Sequence, residues 1–151
     1  MTPASSATNA AGSLLGPAFA HALARQDFHQ VAEMLCRDID FGALTPPRTW
    51  DAATAEDTVQ VLRTWFDSAT IVDEVIGVRM DTVADRHCVT YRFAGDRPQG
   101  PFVIEQHAYF CDRDGQIGWM RLICSGFRPP PSALSPRRRS AAQAPASRRR
   151  R

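Results

Sequence analysis

The stretch FVIEQHAYFCDRDGQIGWMRLICS, Phe102–Ser125, decides how this chain folds. Phe102–Asp112 is too long and too rich in β-branched and aromatic residues for anything but a strand. Arg113-Asp114-Gly115 follows as a hairpin turn, with Gly115 supplying the positive φ, and Ile117–Ser125 returns as the partner strand. Strand side chains alternate between faces. Glu105, His107, Tyr109 and Cys111 therefore share one face, Phe102, Ile104 and Phe110 the other, and Met120, Leu122 and Cys124 share a face of the last strand.

Upstream the same grammar continues. His87–Ala94 alternates, with His87, Val89, Tyr91 and Phe93 on one side and Cys88, Thr90 and Arg92 on the other. Ile71–Ala84 carries Val72, Val75, Ile76, Val78 and Val83. Asp85-Arg86 is a tight turn, and Gly95–Gly100 is a loop. Strands joined by such short connections pair antiparallel.

Before Ala69 the period is helical. Pro17 suits a first helical turn, where its missing N–H costs nothing, and Phe19 and Leu23 share a face. Asp27 is an N-cap with Gln30 as its capping-box partner. Phe28, Val31, Ala32 and Leu35 form an apolar stripe. A short strand at Asp38–Leu44 ends at Pro46-Pro47. Thr54 caps a third helix, with Asp57 in its first turn and Val59, Leu62, Trp65 and Phe66 as its apolar face. Helices first and strands after, without alternation, predict an α+β domain with three N-terminal helices packed on one face of a curved, mostly antiparallel sheet.

The chain has 151 residues, room for one domain, and 44% hydrophobic residues, enough for a core. The reading places that domain at 17–128, a disordered Ala/Ser/Thr/Gly segment at 1–16 and a disordered Pro/Arg-rich tail at 129–151. No apolar run reaches membrane-spanning length. The first Arg is Arg25, which is not the pattern of a secretory or mitochondrial leader. All 18 basic residues are Arg. Eleven of them against sixteen acids leave the chain through Arg128 at −5, while the tail carries +7. Cys36, Cys88, Cys111 and Cys124 contain no CxxC pair and are read as reduced, in a cytoplasmic protein.

Leu23-Ala24-Arg25-Gln26-Asp27-Phe28, Leu35-Cys36-Arg37-Asp38-Ile39-Asp40-Phe41, Trp65-Phe66 and the hairpin Tyr109–Ile117, in this element order, resemble the nuclear-transport-factor-2-like superfamily, which includes SnoaL-like cyclases, ketosteroid isomerases and scytalone dehydratase. The resemblance covers Pro17 to Arg128. It implies a cone-shaped α+β barrel around a pocket. It turns Glu105, His107, Tyr109 and Cys111 inward together with Met120, Leu122, Cys124, His87, Val89, Tyr91 and Phe93, and closes the pocket with Phe19, Leu23, Phe41, Ala43 and Trp65. The Tyr, Asp base and protonated Asp of steroid isomerases would match Phe19, Ala43 and His107. Base and phenol are missing, so an enolising mechanism is not carried over.

The candidate catalytic residues are His107, Glu105 and Tyr109. Glu105 and His107 project from one strand face about 7 Å apart, so the carboxylate can orient the imidazole, and His is the natural proton shuttle at neutral pH. Tyr91 or Tyr109 could offer an O–H to a carbonyl. The competing reading is a satisfied structural network, since buried charges must be paired in either case. Cys124-Ser125-Gly126 lacks the flanks of a nucleophile elbow, and Cys124 reads as a small buried residue. No ligand spacing calls for a metal, and no cofactor is expected. The function expected is binding of a small hydrophobic metabolite in a SnoaL-like pocket, with isomerase, cyclase or dehydratase-like acid–base chemistry as its enzymatic form. The alternative is a non-catalytic dimerisation or interaction module. Phe102, Ile104 and Phe110, as an apolar outer face, predict a homodimer through the sheet. The tail is read as a solvated extension, with nucleic-acid contact limited to weak, salt-dependent attraction, and no membrane partner is expected.

Overall fold

A computed structural model describes residues 2–131, with side chains from residue 12 onward. The order is α1 Thr2–Ala24, α2 Phe28–Met34, β1 Leu35–Thr45, β2 Arg48–Ala52, α3 Ala55–Trp65, β3 Ile71–Val83, β4 Arg86–Arg97, β5 Gly100–Arg113 and β6 Gln116–Cys124. The strands form one open six-stranded sheet in the order β2-β1-β6-β5-β4-β3. Every neighbouring pair is antiparallel except β1 with β6. The three helices pack against it, as the α+β reading predicts. The sheet curves without closing into a barrel. The Arg-rich tail from Ser132 to Arg151, and the reading attached to it, lie outside the described residues.

The helix caps form where the sequence places them. Asp27 accepts from the Gln30 backbone N–H at 3.2 Å, and Thr54 Oγ1 from that of Asp57 at 3.0 Å. The Gln30 side chain, however, takes a bond from Arg25 rather than returning to the cap. α2 stops at Met34, and Leu35 already belongs to β1. Pro46-Pro47 ends β1 as expected, but as the turn of a hairpin to β2, a strand the sequence reading lacks. α1 extends back to Thr2, with Pro17 inside it. That corrects the expectation of a disordered segment up to residue 16. Alanines favour the helix, and glycines let it dock: a Cβ on Gly12 would lie 2.1 Å from His87 Nε2, and one on Gly16 2.5 Å from Met80 Sδ.

The largest correction concerns β5. Its buried residues are the even ones, Phe102, Ile104, Gln106, Ala108 and Phe110. Glu105, His107, Tyr109 and Cys111 lie on the outer face. The cause is a bulge in β6. Near the turn Arg113 pairs with Gln116 and Asp112 with Ile117. Continued unchanged, that register would set Tyr109 against Met120 and His107 against Leu122. Gly118 is instead an extra residue, so Cys111 meets Trp119, Phe110 meets Met120 and Gln106 meets Cys124. One added residue exchanges the faces of everything beyond it. The β4–β5 turn agrees: Arg97 pairs with Gly100, which sets Tyr91 opposite Gln106 and Phe93 opposite Ile104. Phe102, Ile104 and Phe110, on which the expectation of a homodimer rested, are core residues exposed by no more than 2%.

The inward assignments on β4 and β6 hold: Val89, Tyr91, Phe93, Met120 and Leu122 are all within 1% of complete burial. Together with Phe19, Leu23, Phe41 and Phe66 they fill the space beneath the helices. Each such side chain contributes about 1.5–3 kcal/mol by leaving water. The centre beneath the helices is therefore packed, and a cleft opens at one end of the sheet.

Candidate functional site

That open end lies where β1–β2, α3, the β4–β5 turn and the residues after β6 converge. A cleft of about 530 Å³ opens there, a size typical of small-molecule sites. Trp50 and Trp65 form one wall, meeting edge to face with centroids 5.8 Å apart. Pro46, Pro47, Phe127 and Ile104 supply further apolar surface. Gly126, at φ +78°, turns the chain after β6 so that Phe127 packs on Phe66 and Phe102. Arg97 lies over the Phe127 ring at 4.1 Å and donates to Gln99 at 3.0 Å.

A polar network lies in the core behind the cleft and meets it at Cys124. Tyr91 and Gln106, paired across β4 and β5, point into the core, where the phenol donates to Gln106 Oε1 at 2.6 Å. The Gln106 amide donates to Cys124 Sγ at 3.3 Å, and the Gly126 backbone N–H reaches the same sulfur at 3.3 Å. Cys124 lines the cleft. Burial drives the Tyr91 phenol well above its ordinary range, and charge on Cys124 would push it the same way, so Tyr91 is a fixed donor and not a base. On the wall, Trp50 Nε1 donates to Thr45 Oγ1 at 2.9 Å. Trp65 Nε1 is buried without a partner. Asp67 is the one carboxylate lining the cleft among the described residues; it is engaged by the Ala69 N–H at 3.0 Å and the Thr70 hydroxyl at 3.1 Å.

Of the residues expected to line a pocket, Trp65 and Cys124 do so. Phe19, Leu23, Phe41, Tyr91, Phe93, Met120 and Leu122 are core, behind the cleft. The expected catalytic trio is on the other side of the sheet. The Glu105 and His107 side chains remain 31% and 36% exposed. They bond to each other at 2.8 Å, and Arg92 donates twice to Glu105. The hydrogen bonds from His107 and then from Arg92 hold the Glu105 carboxyl below its ordinary value. Carboxylate and imidazole thus pair as expected, but outside the cone, and Tyr109 shares that outer face. Trp50, Gln106 and Phe127 were missed. Trp50 sits on the unread strand β2, Phe127 lies beyond the end of the last strand, and Gln106, buried behind the cleft, alternates with the residues that were expected to face inward. Among the described residues no group of His, Cys, Asp and Glu is arranged to hold a metal, and no helix is long and apolar enough to cross a membrane.

No protein-family model and no curated protein sequence matches the chain. Solved structures do. An NTF2-like protein from Anabaena variabilis is similar over 82% of this chain and 90% of its own, at 15% identity and a TM-score of 0.60. An LEH-like epoxide hydrolase from M. tuberculosis is similar over 74% and 80%, at 19% identity and a TM-score of 0.56. A protein of ketosteroid isomerase-like fold from Catenulispora acidiphila, solved in complex with trimethylamine, is similar over 74% and 85%, at 14% identity and a TM-score of 0.60. At these identities the likeness is one of fold: this chain has the nuclear-transport-factor-2-like fold.

Proposed function

We propose that this chain binds a small, largely apolar molecule in the cleft walled by Trp50 and Trp65. The observation that carries the reading is an open space of about 530 Å³ walled by Trp50, Trp65, Phe127 and Ile104. Solved relatives in fold include an epoxide hydrolase, which is consistent with a small-molecule role. The groups at this cleft favour binding over proton transfer. Tyr91 is held as a phenol, Asp67 is engaged by its own turn, and the imidazole of His107 is on the opposite side of the sheet.

The test is tryptophan fluorescence. Of the three tryptophans, Trp119 stands on the outer face between Arg86 and Arg121. In a Trp119→Phe variant the two remaining indoles both belong to the cleft. Titration with small cyclic ketones, lactones and aryl ethers is expected to give a saturable change for at least one class. Trp65→Leu, which removes one aromatic wall, should weaken that binding by about 2- to 10-fold, the worth of one aromatic contact. A flat response across all three classes sinks the reading.

A further inference from the structure

We propose that the outer face of β4 and β5 carries a second, separate site, in which Thr90, His107 and Glu105 form a hydroxyl–imidazole–carboxylate relay able to take a short acyl group from an activated ester and pass it to water. Sheet register assembles it. Thr90 is directly opposite His107, and Arg92 directly opposite Glu105. Glu105 and His107 are two apart on β5 and so share a face. Glu105 Oε2 lies 2.8 Å from His107 Nε2 and Thr90 Oγ1 lies 3.2 Å from His107 Nδ1. A carboxylate can only accept. In the neutral ring the proton therefore sits on Nε2, and the Nδ1 lone pair faces the Thr90 hydroxyl. Arg92 fixes Glu105 through Nε and Nη2 at 3.0 and 2.6 Å, and the Glu105 backbone N–H is anchored on Ser125 Oγ at 2.9 Å. A nucleophile within reach of a base, with the base oriented by a third group, is the general form of an activated hydroxyl.

Thr90 and Glu105 border a hollow of about 240 Å³, lined also by Ile76, Gly77, Val78, Arg79 and Arg92. A break in the β3 register between Val75 and Gly77 helps to form it, and a Cβ on Gly77 would meet nothing within 4 Å. The space has room for a short acyl group such as acetyl or butyryl. Arg79, paired with Thr90 from the side away from His107, sets a cation beside the reacting centre.

Thr90 Oγ attacks the ester carbonyl carbon while its proton passes to His107 Nδ1, and the resulting oxyanion faces Arg79. The intermediate collapses with cleavage of the carbon–oxygen bond to the leaving alcohol, which takes the proton from His107. Water, deprotonated by the same nitrogen, then attacks acyl-Thr90, releasing the acid and restoring the hydroxyl. Thr90 and His107 are the catalytic residues, and Glu105 is a positioning residue.

The test uses p-nitrophenyl acetate and p-nitrophenyl butyrate with the full chain. Wild-type protein should release a burst of nitrophenol and carry one acetyl group on the peptide containing Thr90. Thr90→Val, which keeps the β-branched shape of a strand residue, and His107→Gln should each lower the rate by about 100-fold or more, with Thr90→Ser remaining active. Glu105→Gln should lower kcat with KM unchanged, because the imidazole loses the group that orients it, and Glu105→Asp should recover part of the loss. Acetyl mapped to Cys88, whose sulfur is 4.0 Å from Thr90 Oγ1, or to any other residue would overturn the proposal. So would an unchanged rate in Thr90→Val. Mapping on the wild-type chain decides the matter even if a variant does not fold.

Discussion

Along β5, Phe102, Ile104, Gln106, Ala108 and Phe110 are exposed by 2% or less, while Glu105 and His107, interleaved with them, keep about a third of their side chains in water. One strand thus presents two environments at alternate positions. On the inner face of β5 the Gln106 side chain is engaged at both ends: it accepts from the Tyr91 hydroxyl and donates to Cys124 Sγ. On the outer face Glu105 and His107 have water in reserve, and the pairing of Glu105 with His107 and Arg92 is adjustable rather than obligatory. The same hydrogen-bonding chemistry is therefore a condition of folding on one side and open to use on the other.

The comparison breaks most visibly at its apolar end. Phe110→Ala is expected to cost about 3–5 kcal/mol, the price of a cavity in a packed core, whereas Tyr109→Ala, one residue away and facing out, should cost under about 1 kcal/mol. Urea denaturation of the two variants measures both, and equal losses would mean the faces are not distinct. Gln106→Leu sharpens the comparison at its polar centre. The Tyr91 hydroxyl would then be buried without an acceptor, a loss of about 1–3 kcal/mol. Adding Tyr91→Phe should recover part of it, giving a coupling of at least about 0.5 kcal/mol in a double-mutant cycle. Strict additivity would show that the Tyr91–Gln106 bond does not hold the two strands.

How far the sequence could be read follows from the same strand. The α+β order, the caps at Asp27 and Thr54, the turn at Asp114-Gly115 and the inward sets on β4 and β6 are all legible, because each depends on local chemistry or on one strand's own alternation. The sidedness of β5 depends on register against its neighbours, which local alternation does not carry. The missed signal was Gly118, since a glycine inside a strand pattern marks a bulge. Counting it as an extra residue sends Glu105 and His107 outward. The composition of the two faces points the same way: Phe102, Ile104, Ala108 and Phe110 accompany a single amide, while the other set holds a carboxylate and an imidazole. The cleft was half legible. Trp65 and Cys124 lie on elements that were read, whereas Trp50 and Phe127 come from segments flanked by Pro and Gly, which the periodicity of helices and strands does not describe.

The smallest expected effect tests the outer face through pH. Glu105 is held below its ordinary value by hydrogen bonds from His107 and Arg92. A carboxyl depressed in the folded state binds its proton more readily once unfolded, so its stabilising contribution is complete above the unfolded value, about 4.3 for Glu, and declines as pH falls toward the folded one. Wild-type protein should exceed Glu105→Gln in stability at pH 7, by no more than about 1 kcal/mol because the pair is partly solvated. The gap should narrow as pH is lowered through the unfolded value. Gln106→Leu should show no such narrowing, since neither Gln nor Leu titrates. Urea midpoints for both variants at pH 7 and at pH 3, at constant ionic strength, separate the two faces. A gap for Glu105→Gln that stays constant with pH would mean that its carboxylate is not held by His107 and Arg92 in solution.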